Sequence, residues 1–201
     1  YLYTGNGTTN TAITNGIDLA GEGGMVWIKS RTTSENHGIF DTERQGANWY
    51  LSSDTTAAEN QDTGNPMMVS LNSNGFTLGN NNVTNGGNPF VSWTFRKKKK
   101  FFDIVTYTGD NTTGRSISHA LDGPVGMIIV KKTSGAGNWH VLHKSVSLGG
   151  SPNEGALRLN TTGFANSYSS NFNATFPTDS VFYVSHLAGA SSSTLNTTGE
   201  T

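Results

Sequence analysis

A chain of 201 residues with 13% charged residues, a formal net charge of −1 and no cysteine excludes several classes at once. It has no broad electrostatic pull toward nucleic acid, no disulfide or thiolate metal site to hold its fold, and no apolar run near the roughly 20 residues of a membrane-spanning helix. Its 25 glycines and its many Asn, Ser and Thr residues suit short strands joined by turns rather than helices, while 10% aromatic residues argue against disorder.

The chain opens on Tyr1-Leu2-Tyr3, read as the remnant of a strand; Tyr1 in place of Met leads to the expectation of a portion of something longer. Turn signals at Asn6-Gly7, Asn15-Gly16 and residues 21–24 lead into the apolar run 25–29, expected to be a strand covered on both faces. Residues 38–42 and 75–79 carry the pattern of strands with one wet face. Residues 89–95, Pro-Phe-Val-Ser-Trp-Thr-Phe, alternate as a strand should.

From residue 101 the order repeats. Tyr3-Thr4-Gly5-Asn6 returns as Tyr107-Thr108-Gly109-Asp110, an offset of 104; residues 24–29 return as 126–131, and residues 36–40 as 138–142, both at an offset of 102. Repeats of this kind decide architecture. Residues 101–107 are therefore expected to form the first strand of a second copy, 127–131 its covered strand, and 139–143 and 181–186 its half-wet strands. Turns are expected at residues 122–124 and at Gly149-Gly150.

Turn signals roughly every 8–12 residues point to a β-sandwich. The expected fold is all-β: two tandem antiparallel β-sandwiches of jelly-roll or concanavalin-like lectin type, with one larger fused sandwich as the alternative. The first copy spans residues 1–96, a basic linker 97–100, and the second copy 101–201, its last strand apparently missing. Both outer edges are then cut short, and flanking sequence or a neighbouring chain would complete the sheets.

Arg96-Lys97-Lys98-Lys99-Lys100 holds five of the 13 basic residues. Such a run can serve anionic lipid, nucleic acid or a glycan phosphate, but no aromatic residues interleave with it, so a solvated linker kept extended by self-repulsion is the favoured reading. His140 and His143 form H-x-x-H, yet residues three apart on a strand face opposite ways; no metal site is expected. Asp41 and Glu43 share a strand face as a glycosidase pair would, but His143 and Ser145 stand at the matching places, and a surface pair is favoured. Residues 80–82, all Asn, are read as turn chemistry rather than calcium ligands. The sequons at Asn6, Asn82, Asn111, Asn160, Asn173 and Asn196 bear on function only in a secretory pathway, which is not expected. Of the four tryptophans, Trp27 and Trp93 are read as packing, and Trp49 and Trp139 as candidate glycan contacts, since an aromatic face can stack on a sugar ring.

The blocks YTGNG, NGIDL, GGMVWIKSR, ENHGIFDTER, SNGFTLG and PFVSWTFRK, followed by FFDIVTYTG, GRSISHAL, PVGMIIVKKT and NWHVLHK, resemble a domain of unassigned function. It occurs in tail-fibre-like and other structural proteins of marine bacteriophages, especially cyanophages. The resemblance covers essentially the whole chain. It implies a non-enzymatic component of the virion, a tail fibre or capsid decoration, with a lectin-like sandwich and no catalytic residues or cofactors. The implied partners are other virion proteins, further copies of the chain and host-surface glycans, with neither nucleic acid nor membrane insertion.

Overall fold

The computed structural model describes residues 1–148, 151–152, 155–163, 171–186 and 195–201. The turn expected at Gly149-Gly150 lies outside them. The chain is nearly all β, and its strand pairs are antiparallel. It divides into two compact units, one of Tyr1–Ser53, Glu59–Lys98 and Phe102–Ile104, the other of Asp54–Ala58, Lys99–Phe101 and Val105–Thr201.

The first unit contains β1 (Leu2–Thr4), β2 (Thr11–Thr14), α1 (Leu19–Glu22), β3 (Gly24–Ser30), β4 (Gly38–Asp41), β5 (Trp49–Tyr50), β6 (Asn60–Gln61), β7 (Met68–Asn72), β8 (Gly75–Leu78), α2 (Asn82–Asn85) and β9 (Pro89–Arg96). One sheet has the order β1-β9-β3-β4, a second β2-β8-β7, and β5 pairs with β6. Strand side chains alternate between faces. Val26, Ile28, Phe40 and Phe90 from the first sheet therefore meet Ile13, Met68, Phe76 and Leu78 from the second in one buried cluster. Two sheets closed over one core make a sandwich-like layer pair. Phe40, Phe76 and Phe90 are fully buried, each contributing about 1.5–3 kcal/mol.

The second unit contains β10 (Arg115–Ser118), β11 (Met127–Val130), β12 (His140–His143), β13 (Ser147–Leu148), β14 (Ser151–Pro152), β15 (Ala156–Arg158) and β16 (Val181–Val184). Its sheets are β11-β12-β15, β10-β16 and β13-β14. Ile117, Phe182 and Val184 from the β10-β16 pair join Leu142 and Ala156 from the three-stranded sheet, with Phe172 and Leu195, in its core.

Three expectations are corrected. Residues 101–107 form no strand: Phe102 instead pairs with Lys98 through two backbone hydrogen bonds of 2.9 and 3.0 Å and sets its ring 5.4 Å from that of Phe95. Second, β3 and β11 are not covered on both faces. On β3 Val26 and Ile28 are fully buried but Met25, Trp27 and Lys29 on the other face are only half-buried, and on β11 Met127 and Ile129 stand 54% and 38% exposed. Third, β4 has no wet face, because the turn after it folds back. Arg44 Nη2 donates to the Ile39 carbonyl at 3.1 Å and Nε to Asp41 at 2.6 Å, covering the side that the core does not.

Turn chemistry fixes each unit's opening loop, and the bonding runs in parallel. Tyr3 Oη donates to the Thr84 carbonyl at 2.6 Å, and Tyr107 Oη to the Leu195 carbonyl at 2.6 Å. Asn85, wholly buried, sends Nδ2 to the carbonyls of Gly79 (2.6 Å) and Thr8 (2.8 Å). Asn196, also wholly buried, sends its own Nδ2 to the Thr112 carbonyl (2.9 Å) and to Asp110 Oδ1 (2.6 Å). A Cβ on Gly5 would lie 2.0 Å from the Gly86 carbonyl oxygen, and one on Gly109 2.0 Å from that of Thr197. Only glycine lets the two backbones approach so closely.

Candidate functional site

The basic run is a folded corner and not an extended linker. Arg96 pairs with Glu22, Lys97 with Glu43 at 2.9 Å and Asp103 at 3.5 Å, and Lys99 with Asp122 at 3.2 Å. Lys100 takes a left-handed backbone, φ 62°, to close the turn to Phe102. Burial alone would lower the Lys97 pKa, but the Glu43 and Asp103 carboxylates outweigh it and raise the value above that of an ordinary lysine. Opposite charges thus offset the self-repulsion that would have kept the run extended.

The carboxylates are not a surface pair. Asp41 is buried, accepts from the backbone N–H groups of Glu43 and Arg44 at 3.0 Å each, and pairs with Arg44, which also reaches Glu59 at 3.3 Å. Glu43 belongs to Lys97. In the H-x-x-H pair, His140 faces the core near Asn171 Nδ2 (3.4 Å), and His143 Nδ1 accepts the Ser145 N–H at 3.1 Å. Burial, aided by the charges of Arg158 and Lys131, lowers the His140 pKa to about 4. Among the described residues no cluster of three or more His, Asp or Glu side chains is placed to hold a metal ion, and no helix is long and apolar enough to cross a membrane. Asn81 caps α2, accepting from the Val83 N–H at 2.9 Å, while its Nδ2 donates to Asp62 at 2.9 Å.

The tryptophans fall differently from the expectation. Trp139 is only 5% exposed, and its Nε1–H donates to the Thr55 carbonyl at 3.2 Å, which leaves no ring face free. Trp49 is half-buried on β5 opposite Gln61. Trp93, read as packing, is 44% exposed. It lies on the outer face of the β1-β9-β3-β4 sheet directly opposite Trp27, ring centroids 5.8 Å apart and planes at 64°. Trp27 is held in turn: its Nε1–H donates to His37 Nδ1 at 2.8 Å.

Around this pair the same outer face carries Met25 opposite Phe95 and Lys29 opposite Val91. Lys29 Nζ is spent on the carbonyls of Ser30 and Thr33, at 2.9 and 3.0 Å. An exposed ring braced edge-on by a second ring, itself fixed by a histidine, is a rigid aromatic platform on the outer face of the sheet. The alternation of residues 89–95 does not reveal it. Phe90, Ser92 and Thr94 on one face, and Val91, Trp93 and Phe95 on the other, are both mixed; only burial of Phe90 decides which side is inside.

Neither a curated protein nor a solved structure matches the chain. A single family model spans both units, matching residues 1–198, and so the chain belongs to the family defined by the domain of unknown function DUF7483.

Proposed function

We propose that this chain is a non-enzymatic structural and adhesive module of a bacteriophage particle, a tail fibre or capsid decoration, that contacts host-surface glycans through the outer face bearing Trp93. In this reading the two units are tandem copies of one lectin-like sandwich. The parallel ties Tyr3 to Thr84 and Tyr107 to Leu195 support the copies. The sequence resemblance to virion structural proteins supports the particle.

The observation that carries the adhesive role is Trp93, 44% exposed yet locked by Trp27 and His37. A sugar ring offers C–H groups to such a face. Because the platform is rigid before contact, little conformational entropy is lost on binding. Each contact is weak, and oligomerisation in a symmetric particle multiplies it. The partners are then other virion proteins, further copies of the chain and host glycans, and the location is the virion. The alternative is a glycan-binding lectin module outside any particle.

Two experiments test the proposal. On an array of bacterial surface glycans, the intact chain binds and Trp93→Ala does not, while Trp49→Ala and Trp139→Ala keep any binding their folding allows. Loss with Trp49→Ala and retention with Trp93→Ala would move the site; no binding by the intact chain would remove the adhesive role. Antibody labelling of purified particles separates the virion reading from the free lectin.

A further inference from the structure

Val91, Trp93 and Phe95 point outward from β9, and Lys29, Trp27 and Met25 stand opposite them on β3. At the rise of an extended strand these three rows run about 13 Å along the sheet, longer than a single sugar ring. Trp93 is exposed and the other five are half-buried, so a strip of apolar surface, and not one isolated ring, faces solvent. Phe95 is braced as Trp93 is: the Phe102 ring lies 5.4 Å from it, planes at 32°.

The strip has little with which to read hydroxyl groups or charge. Met25, Val91 and Phe95 carry no polar side-chain hydrogen. The Trp27 indole N–H is taken by His37. Lys29 turns its ammonium to the carbonyls of Ser30 and Thr33, which leaves its alkyl stem along the sheet. Among the six, the indole N–H of Trp93 is the donor that remains. The charges at the ends come in both signs. Lys97, beyond Phe95, pairs with Glu43 and Asp103; Asp41, opposite Met25, pairs with Arg44; Arg31, beyond Lys29, shares its loop with Glu35.

We propose that this strip takes an interior stretch of an uncharged, extended polysaccharide, whose equatorially linked rings lie in file along β9 with their C–H faces on Val91, Trp93 and Phe95. Trp93 stacks on the central ring, and each further ring in the file buries more apolar surface. Affinity therefore grows with chain length. Salt has little effect, because no charge is neutralised on binding. An axial linkage turns successive rings away from the strip, so chains of that kind keep less of the contact. This inference rests on the adhesive reading of Trp93 and adds to it which glycans bind and how they lie.

The test titrates the full chain with cello-oligosaccharides of increasing length, with maltohexaose as the axially linked chain and with hyaluronan fragments as the acidic one. Cellohexaose is expected to bind roughly tenfold or more tighter than cellobiose, with the same ratio at about 0.05 M and about 0.5 M salt, and tighter than maltohexaose or hyaluronan. Val91→Asp, shown by thermal unfolding to be folded, weakens cellohexaose more than cellobiose. The inference is overturned by no binding of cellohexaose, by equal affinity for cellobiose and cellohexaose, by equal or tighter binding of maltohexaose or hyaluronan, or by an equal effect of Val91→Asp on both cello-oligosaccharides. In each of these cases, array binding that is lost with Trp93→Ala keeps the adhesive reading; absence of array binding removes both.

Discussion

Trp93 stands opposite Trp27 on neighbouring strands, their ring centroids 5.8 Å apart, yet the two side chains carry different loads. Trp27 is half-buried and donates to His37; Trp93 is braced but largely open to solvent. Trp27→Ala is expected to cost about 2–3 kcal/mol in chemical denaturation, and Trp93→Ala under about 1 kcal/mol. Equal costs would show that Trp93 is packing, as the sequence pattern first indicates.

The wholly buried amides of Asn85 and Asn196 knit the opening loop of each unit. Truncation of Asn85 leaves the carbonyl of buried Gly79 without its donor, so Asn85→Ala is expected to cost about 1–3 kcal/mol, whereas the Asn196 acceptors, on exposed Thr112 and Asp110, can turn to water and Asn196→Ala is expected to cost about 1 kcal/mol. Asn85→Asp is expected to be at least as harmful, since it places an oxygen against the Gly79 and Thr8 carbonyls. Denaturant midpoints for the three variants check this.

Arg44 and Arg96 separate a buried ion pair from an exposed one. Arg44 and Asp41 side chains are each 7% exposed, whereas Arg96 and Glu22 are 43% and 39% exposed. Arg44→Met leaves the Asp41 charge buried and is expected to cost about 3–5 kcal/mol. Arg96→Met is expected to cost no more than about 1 kcal/mol. Thermal unfolding of both variants at 0.15 M and 1 M salt measures the difference.

His140 gives the second unit an acid sensitivity. Its folded pKa is lowered to about 4 by burial, while the unfolded chain titrates near about 6.5. The unfolded state therefore binds the proton first as pH falls. The contribution of the neutral ring is fully present above pH ~6.5 and is lost between ~6.5 and ~4, on the order of 3 kcal/mol in all. His140→Gln is expected to flatten the dependence of Tm on pH across that window. An unchanged slope would assign the acid loss to other groups.

Turn residues and short apolar runs were enough to specify the strand-rich class, and they placed β3, β8, β9, β11, β12 and β16 to within about two residues. The sequence also marked Gly5 and Gly109 by recurrence, and their close backbone approach explains why glycine returns there. These features are local, written in spacing and residue type.

What depends on covering emerged only once the sheets were assembled. Residues 101–107 have strand composition but form none, because a strand needs a partner and no described strand lies beside them. The lysine run folds into a corner because Glu43 and Asp122, distant in sequence, and Asp103 just beyond the run pair with its lysines. Trp139, just before β12, is buried, and Trp93, within β9, is exposed. Which face of a strand meets water depends on what packs against it, and that is a property of the assembled sheets, invisible to any single strand's alternation.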